Sequence, residues 1–151
     1  MFLARPIRLA PRSILHSAIA NRRFVDRRWR MKHLIDATTH EVLLNKVEVA
    51  DTFWQRFKGL QFRSPLPADT GLLITPCSSL HTCFMRFPID VVMLDQELCV
   101  VGIRKQVRPW KAILCVSGTK SVVEMTAVSK DWEVGRKLQL VSGLEERPCK
   151  H

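Results

Sequence analysis

Long apolar runs are missing from this 151-residue sequence. None approaches the roughly 18 to 20 residues that would span a bilayer as a helix, so no membrane span is expected. A Gly-rich phosphate loop, a Gly-x-Ser-x-Gly nucleophile elbow and a His-Glu-x-x-His helix are also absent, which removes three common catalytic patterns. Neither an internal repeat nor a low-complexity tract is present. Paired cysteine spacing is lacking too: Cys77, Cys83, Cys99, Cys115 and Cys149 make an odd set. Such a set fits a reducing compartment better than a disulfide scaffold, and a cytoplasmic location is expected. Cys99 and Cys115 lie inside apolar runs, where a free thiol behaves as a small hydrophobe.

Acidic residues are absent before Asp26, and this changes how the net charge of +10 is read. Residues 1–32 hold nine Lys or Arg against that one acid, whereas the rest of the chain holds 15 basic and 13 acidic groups. The basicity therefore belongs to a leader. Phosphate binding needs cations clustered on a folded surface, so no nucleic-acid partner is expected. The Arg-rich leader has the composition of a transit peptide, and Ala18-Ile19-Ala20 resembles a signal-cleavage pattern. The simpler expectation is that residues 1–33 are disordered or not part of the mature protein, with Met31 as a candidate start. If they are a targeting segment, the location is organellar or exported instead.

A hydrophobic share of 46% and a charged share of 25% are ordinary for a globular chain. One domain is expected over residues 34–142, followed by a polar tail over 143–151. Leu34–Ala37 and Glu41–Val49 read as an opening hairpin across Thr38-Thr39-His40. The period changes at residues 51–60. Asp51 or Thr52 suits an N-cap, Phe53, Trp54 and Phe57 share one side, and Gly59 suits the C-terminal stop, which predicts one short helix near residues 52–58. Its aromatic stripe is expected to face the core. Ser64–Gly71 reads as a loop. Strands are predicted at 72–75, 80–87, 89–94, 99–104, 112–116, 121–127 and 137–141. Short strands at regular spacing, with no alternating long helices, indicate a mainly β fold: a compact antiparallel β sandwich or barrel-like domain.

Chemistry concentrates between Ser79 and Asp95, where His81, Arg86 and Asp90 interrupt an apolar run. Read as a strand, residues 80–87 place His81, Cys83, Met85 and Phe87 on one face and Thr82, Phe84 and Arg86 on the other. Pro88 demands a turn or an edge, beyond which Asp90 can fold back towards Arg86. Two readings stand. In one, Arg86 and Asp90 form a buried ion pair that fixes a corner, and His81 is satisfied by backbone. In the other, they line a pocket in which His81 titrates near neutral pH with Asp90 or Glu124 as its carboxylate partner. Cys77, His81 and Cys83 are zinc-ligand types, but no second Cys/His pair lies near, so no metal or other cofactor is expected. Cys83 as a nucleophile is disfavoured because same-face neighbours on a strand stand about 6–7 Å apart. Trp110, between Arg108-Pro109 and Lys111, is a candidate binding aromatic, although a loop-anchoring core tryptophan is the expectation.

Lys58-Gly59-Leu60-Gln61-Phe62-Arg63, Gly71-Leu72-Leu73, His81–Val92, Pro109-Trp110-Lys111 and Val123-Glu124-Met125 occur in the order found in an uncharacterised family, domain-of-unknown-function family 192. The chain resembles that family from about Val49 to Leu140, with Met-Arg-Phe-Pro-Ile-Asp as the specific segment. Gln61 and Lys111 depart from its usual methionine and arginine. The resemblance implies a compact, mostly β domain with a short helix, and it implies no catalytic residues.

The resulting expectation is a non-catalytic binding or accessory module. Its candidate ligand-binding residues are His81, Arg86, Asp90, Glu124 and Trp110, and its partner is a small polar or anionic ligand or a protein segment. The alternatives are an enzyme using His81 and a carboxylate, Asp90 or Glu124, for proton transfer, and a structural module that pairs through an exposed strand edge.

Overall fold

The computed structural model describes residues 32–127 and 130–142. The expectations for most of the leader and for the tail lie outside the described residues. Lys32 and His33, assigned above to the leader, belong to the first strand.

Strands β1 (Lys32–Asp36) and β2 (Val42–Ala50) form the expected hairpin. Asp36 shapes its turn, its Oδ1 accepting the N–H groups of Thr38 at 2.7 Å and Thr39 at 2.9 Å. Those bonds, with the Arg136 Nε 2.9 Å from Oδ2, hold its carboxyl below the usual pKa. The predicted helix is α1 (Phe53–Lys58). It starts in a capping box: Thr52 Oγ1 accepts from the Gln55 N–H, and Gln55 Oε1 accepts from the Thr52 N–H. It stops at Gly59, whose φ of 46° and ψ of −129° suit a residue without a Cβ.

Seven strands form the main sheet. Beyond β1 and β2 these are β3 (Thr70–Ile74), β5 (Ile89–Leu94), β6 (Val100–Val107), β8 (Ser121–Thr126) and β9 (Leu138–Ser142), in the order β6-β5-β8-β3-β2-β1-β9. A two-stranded sheet pairs β4 (Ser79–His81) with β7 (Ala112–Leu114). The fold is mainly β, as expected, and the main sheet is mixed. β2 and β3 run parallel because α1 and its following loop carry the chain back to restart beside β2. The sheet curls until segments just before its two edge strands meet, with Val100 N–H donating to Arg136 O and Leu138 N–H to Leu98 O. It does not close as a barrel.

Every residue of β3 and β5 is buried, so these strands are covered on both faces, with Thr70 and Asp90 as their polar residues. Val92, Leu94, Val123 and Met125 pack with Leu34, Leu44 and Trp132 on one side. Ile89, Val91, Met93 and Val122 pack with Leu60, Leu80, Met85 and Phe87 on the other. Gly71 lies within β3 rather than in the preceding loop. A Cβ there would stand 2.8 Å from Leu44 Cδ1 and 3.1 Å from Val123 Cγ1, and both side chains are fully buried. Gly71→Ala is therefore expected to destabilise by about 1–3 kcal/mol through overpacking, read as a lower urea midpoint at unchanged slope.

Two local expectations are corrected. The strand predicted over 80–87 ends at His81 because Thr82, fully buried, turns the chain: its hydroxyl donates to Arg108 O at 2.8 Å and accepts the Lys111 N–H at 2.9 Å. The α1 stripe does not face the core, and Phe53, Trp54 and Phe57 are each more than half exposed. Six residues are too few to bury a stripe, and the turn after the helix covers the sheet instead through Leu60 and Gln61.

Candidate functional site

A cleft of about 360 Å³ opens between α1 and β4. Phe53 and Phe57 line it from α1, Cys77 to His81 from the segment running into β4, and Glu124 from the middle of β8. Glu124 shares the outer face of β8 with Val122 and lies in register with Leu72 on β3 and Val91 on β5. A polar side chain at that place in an apolar strand enters the cleft only because β8 runs between β3 and β5.

Glu124 is 3% exposed, and its Oε2 has no hydrogen-bond partner. Burial pushes its pKa up to about 7, against a smaller opposing pull from the Arg63 guanidinium. Arg63 is itself paired with Glu48 at 2.9 Å. Gly59 lies over the carboxyl, where a Cβ would stand in ordinary contact, 3.4 Å from Oε2. His81 sits at the end of β4, its ring edge-on to Phe57 at a centroid distance of 6.0 Å. Its Nδ1 is buried and also lacks a partner. Two residues that line one cleft thus each carry a buried, unsatisfied polar atom, and most buried polar atoms in folded proteins do find partners.

Cys77 lines the same cleft, but it is a poor nucleophile. Burial, then the neighbouring Cys115 and Glu124, push its thiol up to about 12, so almost no thiolate exists at neutral pH. Cys83 is half-buried and lies outside the cleft lining. Among the described residues no three His, Cys, Asp or Glu side chains are placed to share a metal ion, so Cys77, His81 and Cys83 do not form a ligand set.

The proposed Arg86–Asp90 corner is not formed. Arg86 is exposed, and none of the four ion pairs among the described residues involves it or Asp90. Asp90 is 2% exposed and points away from the Ile89 and Val91 face that leads to the cleft. The register passes from Ile89↔Val107 to Val91↔Arg104, so β6 carries an extra residue there. Asp90 Oδ1 accepts the Gln106 N–H freed by that bulge, at 2.8 Å. Trp110, expected as a core anchor, is exposed and packs against Phe84 away from the cleft. Of the five candidate ligand-binding residues the structure therefore brings His81 and Glu124 together and leaves Arg86, Asp90 and Trp110 elsewhere. Sequence reasoning missed Phe53, Phe57 and Gly59 as cleft residues. The signal the sequence carries for them is an aromatic stripe that ends at a glycine.

The family model DUF192, described as Uncharacterized ACR, matches residues 34–139. A UPF0127 protein of Thermococcus sibiricus is 35% identical over 99 residues, covering 60% of this chain and 61% of that protein. The chain thus spans about three fifths of that relative's length. A UPF0127 protein of Pyrococcus furiosus is 31% identical over 120 residues, covering 70% and 96%. The crystal structure of a protein of unknown function from Novosphingobium aromaticivorans superposes with a TM-score of 0.60 at 19% identity, covering 72% of this chain and 83% of that one, a likeness of fold. With the family model matching more than two thirds of its length, this chain belongs to the uncharacterised DUF192 family.

Proposed function

We propose that this domain binds a small polar ligand in the cleft between α1 and β4, with Glu124 and His81 holding its polar end and Phe53 and Phe57 flanking its apolar part. The observation that carries this reading is the buried, unpartnered Oε2 of Glu124 at the cleft. A buried carboxylate without a partner is costly, and a ligand supplying an N–H or O–H donor removes that cost. An anionic head would oppose the ionised carboxyl, so a neutral or cationic donor is the better fit. Because such a ligand prefers ionised Glu124, its affinity is expected to rise as pH climbs through about 7.

A second reading is favoured by one fact: a carboxyl with a pKa of about 7 lining the same cleft as a histidine whose Nδ1 is unpartnered suits general acid–base catalysis. A thermal-shift series with amines, polyols, amino acids and small carboxylic acids, at pH 6 and pH 8, tests both. The binding reading expects a donor-bearing compound to raise the melting temperature of the wild type, more at pH 8, and to lose that effect in Glu124→Gln and His81→Ala. Consumption of the compound, dependent on Glu124, would establish the enzyme instead. Equal shifts in wild type and both variants would remove the cleft as the site.

A further inference from the structure

Three aromatic rings outside the cleft form a second feature. Phe62, Phe84 and Trp110 are 62%, 49% and 62% exposed. Phe62 stacks on Phe84 at 5.2 Å between centroids, and Trp110 meets Phe84 edge-on at 4.8 Å. All three backbones are left-handed, with φ of 59°, 59° and 63°. A bulky residue at such an angle is an outlier, and here three outliers from three separate segments converge on one spot. The rings are turned outward, so core packing does not reward the strain.

The position is built into the fold. Phe62 N–H donates to Phe84 O at 3.2 Å, and Trp110 N–H donates to Thr82 O at 2.9 Å. The Thr82 hydroxyl ties the same two segments through Arg108 and Lys111. In the three segments that carry the rings, residues 60–66, 82–88 and 108–114, the charged residues are Arg63, Arg86, Arg108 and Lys111, with no acid. Arg63 is paired with Glu48, while Arg86, Arg108 and Lys111 are exposed and make no ion pair among the described residues.

From this juxtaposition we infer that the Phe62–Phe84–Trp110 knob docks the protein on an anionic phospholipid surface, with the rings entering the interfacial layer and the flanking cations facing the headgroups. Phe84 is the middle ring, stacked by Phe62 and met by Trp110, so the three make one contiguous exposed apolar patch rather than two rings facing each other across a slot. An exposed aromatic cluster whose chain neighbours Arg86, Arg108 and Lys111 are exposed cations fits a deformable apolar layer carrying negative charge. The inference is independent of the cleft, whose lining includes none of the three rings.

Co-sedimentation of the full chain with vesicles tests it. Wild type is expected to partition onto phosphatidylcholine vesicles holding about 30% phosphatidylserine, weakly onto phosphatidylcholine alone, and less as salt rises. The double variant Phe84→Asn/Trp110→Asn uses a residue that tolerates the left-handed region, so it removes the rings without adding strain. It is expected to lose at least about tenfold in partitioning while melting no lower than wild type. Because the basic leader is present in both proteins, equal partitioning would assign the binding to charge elsewhere and overturn the inference. Failure of wild type to bind the anionic vesicles, or binding to poly-glutamate or single-stranded DNA in their place, would overturn it as well. If the double variant does not fold, quenching by brominated lipid decides: it should be stronger in wild type than in Trp110→Phe, and equal quenching sinks the proposal.

Discussion

Glu124→Gln is expected to stabilise the fold by about 3 kcal/mol at pH 8 and to change it little at pH 5. The sign follows from the direction of the shift. Burial raises the Glu124 pKa from 4.5 to about 7, so between those values the folded state keeps a proton that the unfolded state has lost. Stability then falls as pH rises through that window and levels off above it. Glutamine has nearly the same shape and does not ionise, so its profile should be flat where the wild type declines. Asp36 acts in the opposite sense and at lower pH. Its lowered pKa contributes stability above the ordinary carboxylate range that is lost on acidification. Urea unfolding of both proteins at half-unit steps from pH 5 to pH 8 checks the prediction, and parallel profiles would show that Glu124 is not held as described. A stabilised Glu124→Gln that also loses ligand binding would display the usual exchange of stability for a functional group.

Thr82→Val is expected to cost about 2–3 kcal/mol, because the isosteric change removes a hydroxyl that satisfies both the Arg108 carbonyl and the Lys111 N–H. Thr82→Ser keeps the hydroxyl and gives up one methyl group, worth about 1 kcal/mol. The difference between the two variants in urea midpoint isolates the hydrogen bonds, and equal midpoints would show that only packing matters at this position. The loss should also loosen the two segments that present Phe84 and Trp110, so Thr82→Val is expected to weaken vesicle partitioning as well.

The candidate site was only partly legible in the sequence. His81 stood out as an ionisable group in an apolar run, and Glu124 was named as one of its two carboxylate partners. Asp90, the other, was set beside Arg86 on the assumption that residues 80–87 form one strand. That assumption failed at Thr82, because a small polar residue that reaches across to a loop 26 residues away overrides a period-2 pattern. With the strand broken, Arg86 moves to the surface and Asp90 is left to the bulge of β6. The exposure of the α1 stripe has a related cause. Helical spacing shows which residues share a side, and nothing in the spacing says whether another element covers it.

Composition and local pattern were enough for the mainly β class, the opening hairpin, most strand positions, and a short helix capped at Thr52 and stopped at Gly59. These depend on neighbours within a few residues, where caps, turns and alternation act directly. Long-range pairing settled the rest. Because β8 lies between β3 and β5, with Glu124 opposite Leu72 and Val91, a glutamate 43 residues from His81 in sequence enters the same cleft. Cys77 joins them there through the segment leading into β4. The convergence of Phe62, Phe84 and Trp110 likewise rests on hydrogen bonds between separate loops. Such neighbours are set by strand order and register, which the spacing of residues along a single chain does not contain.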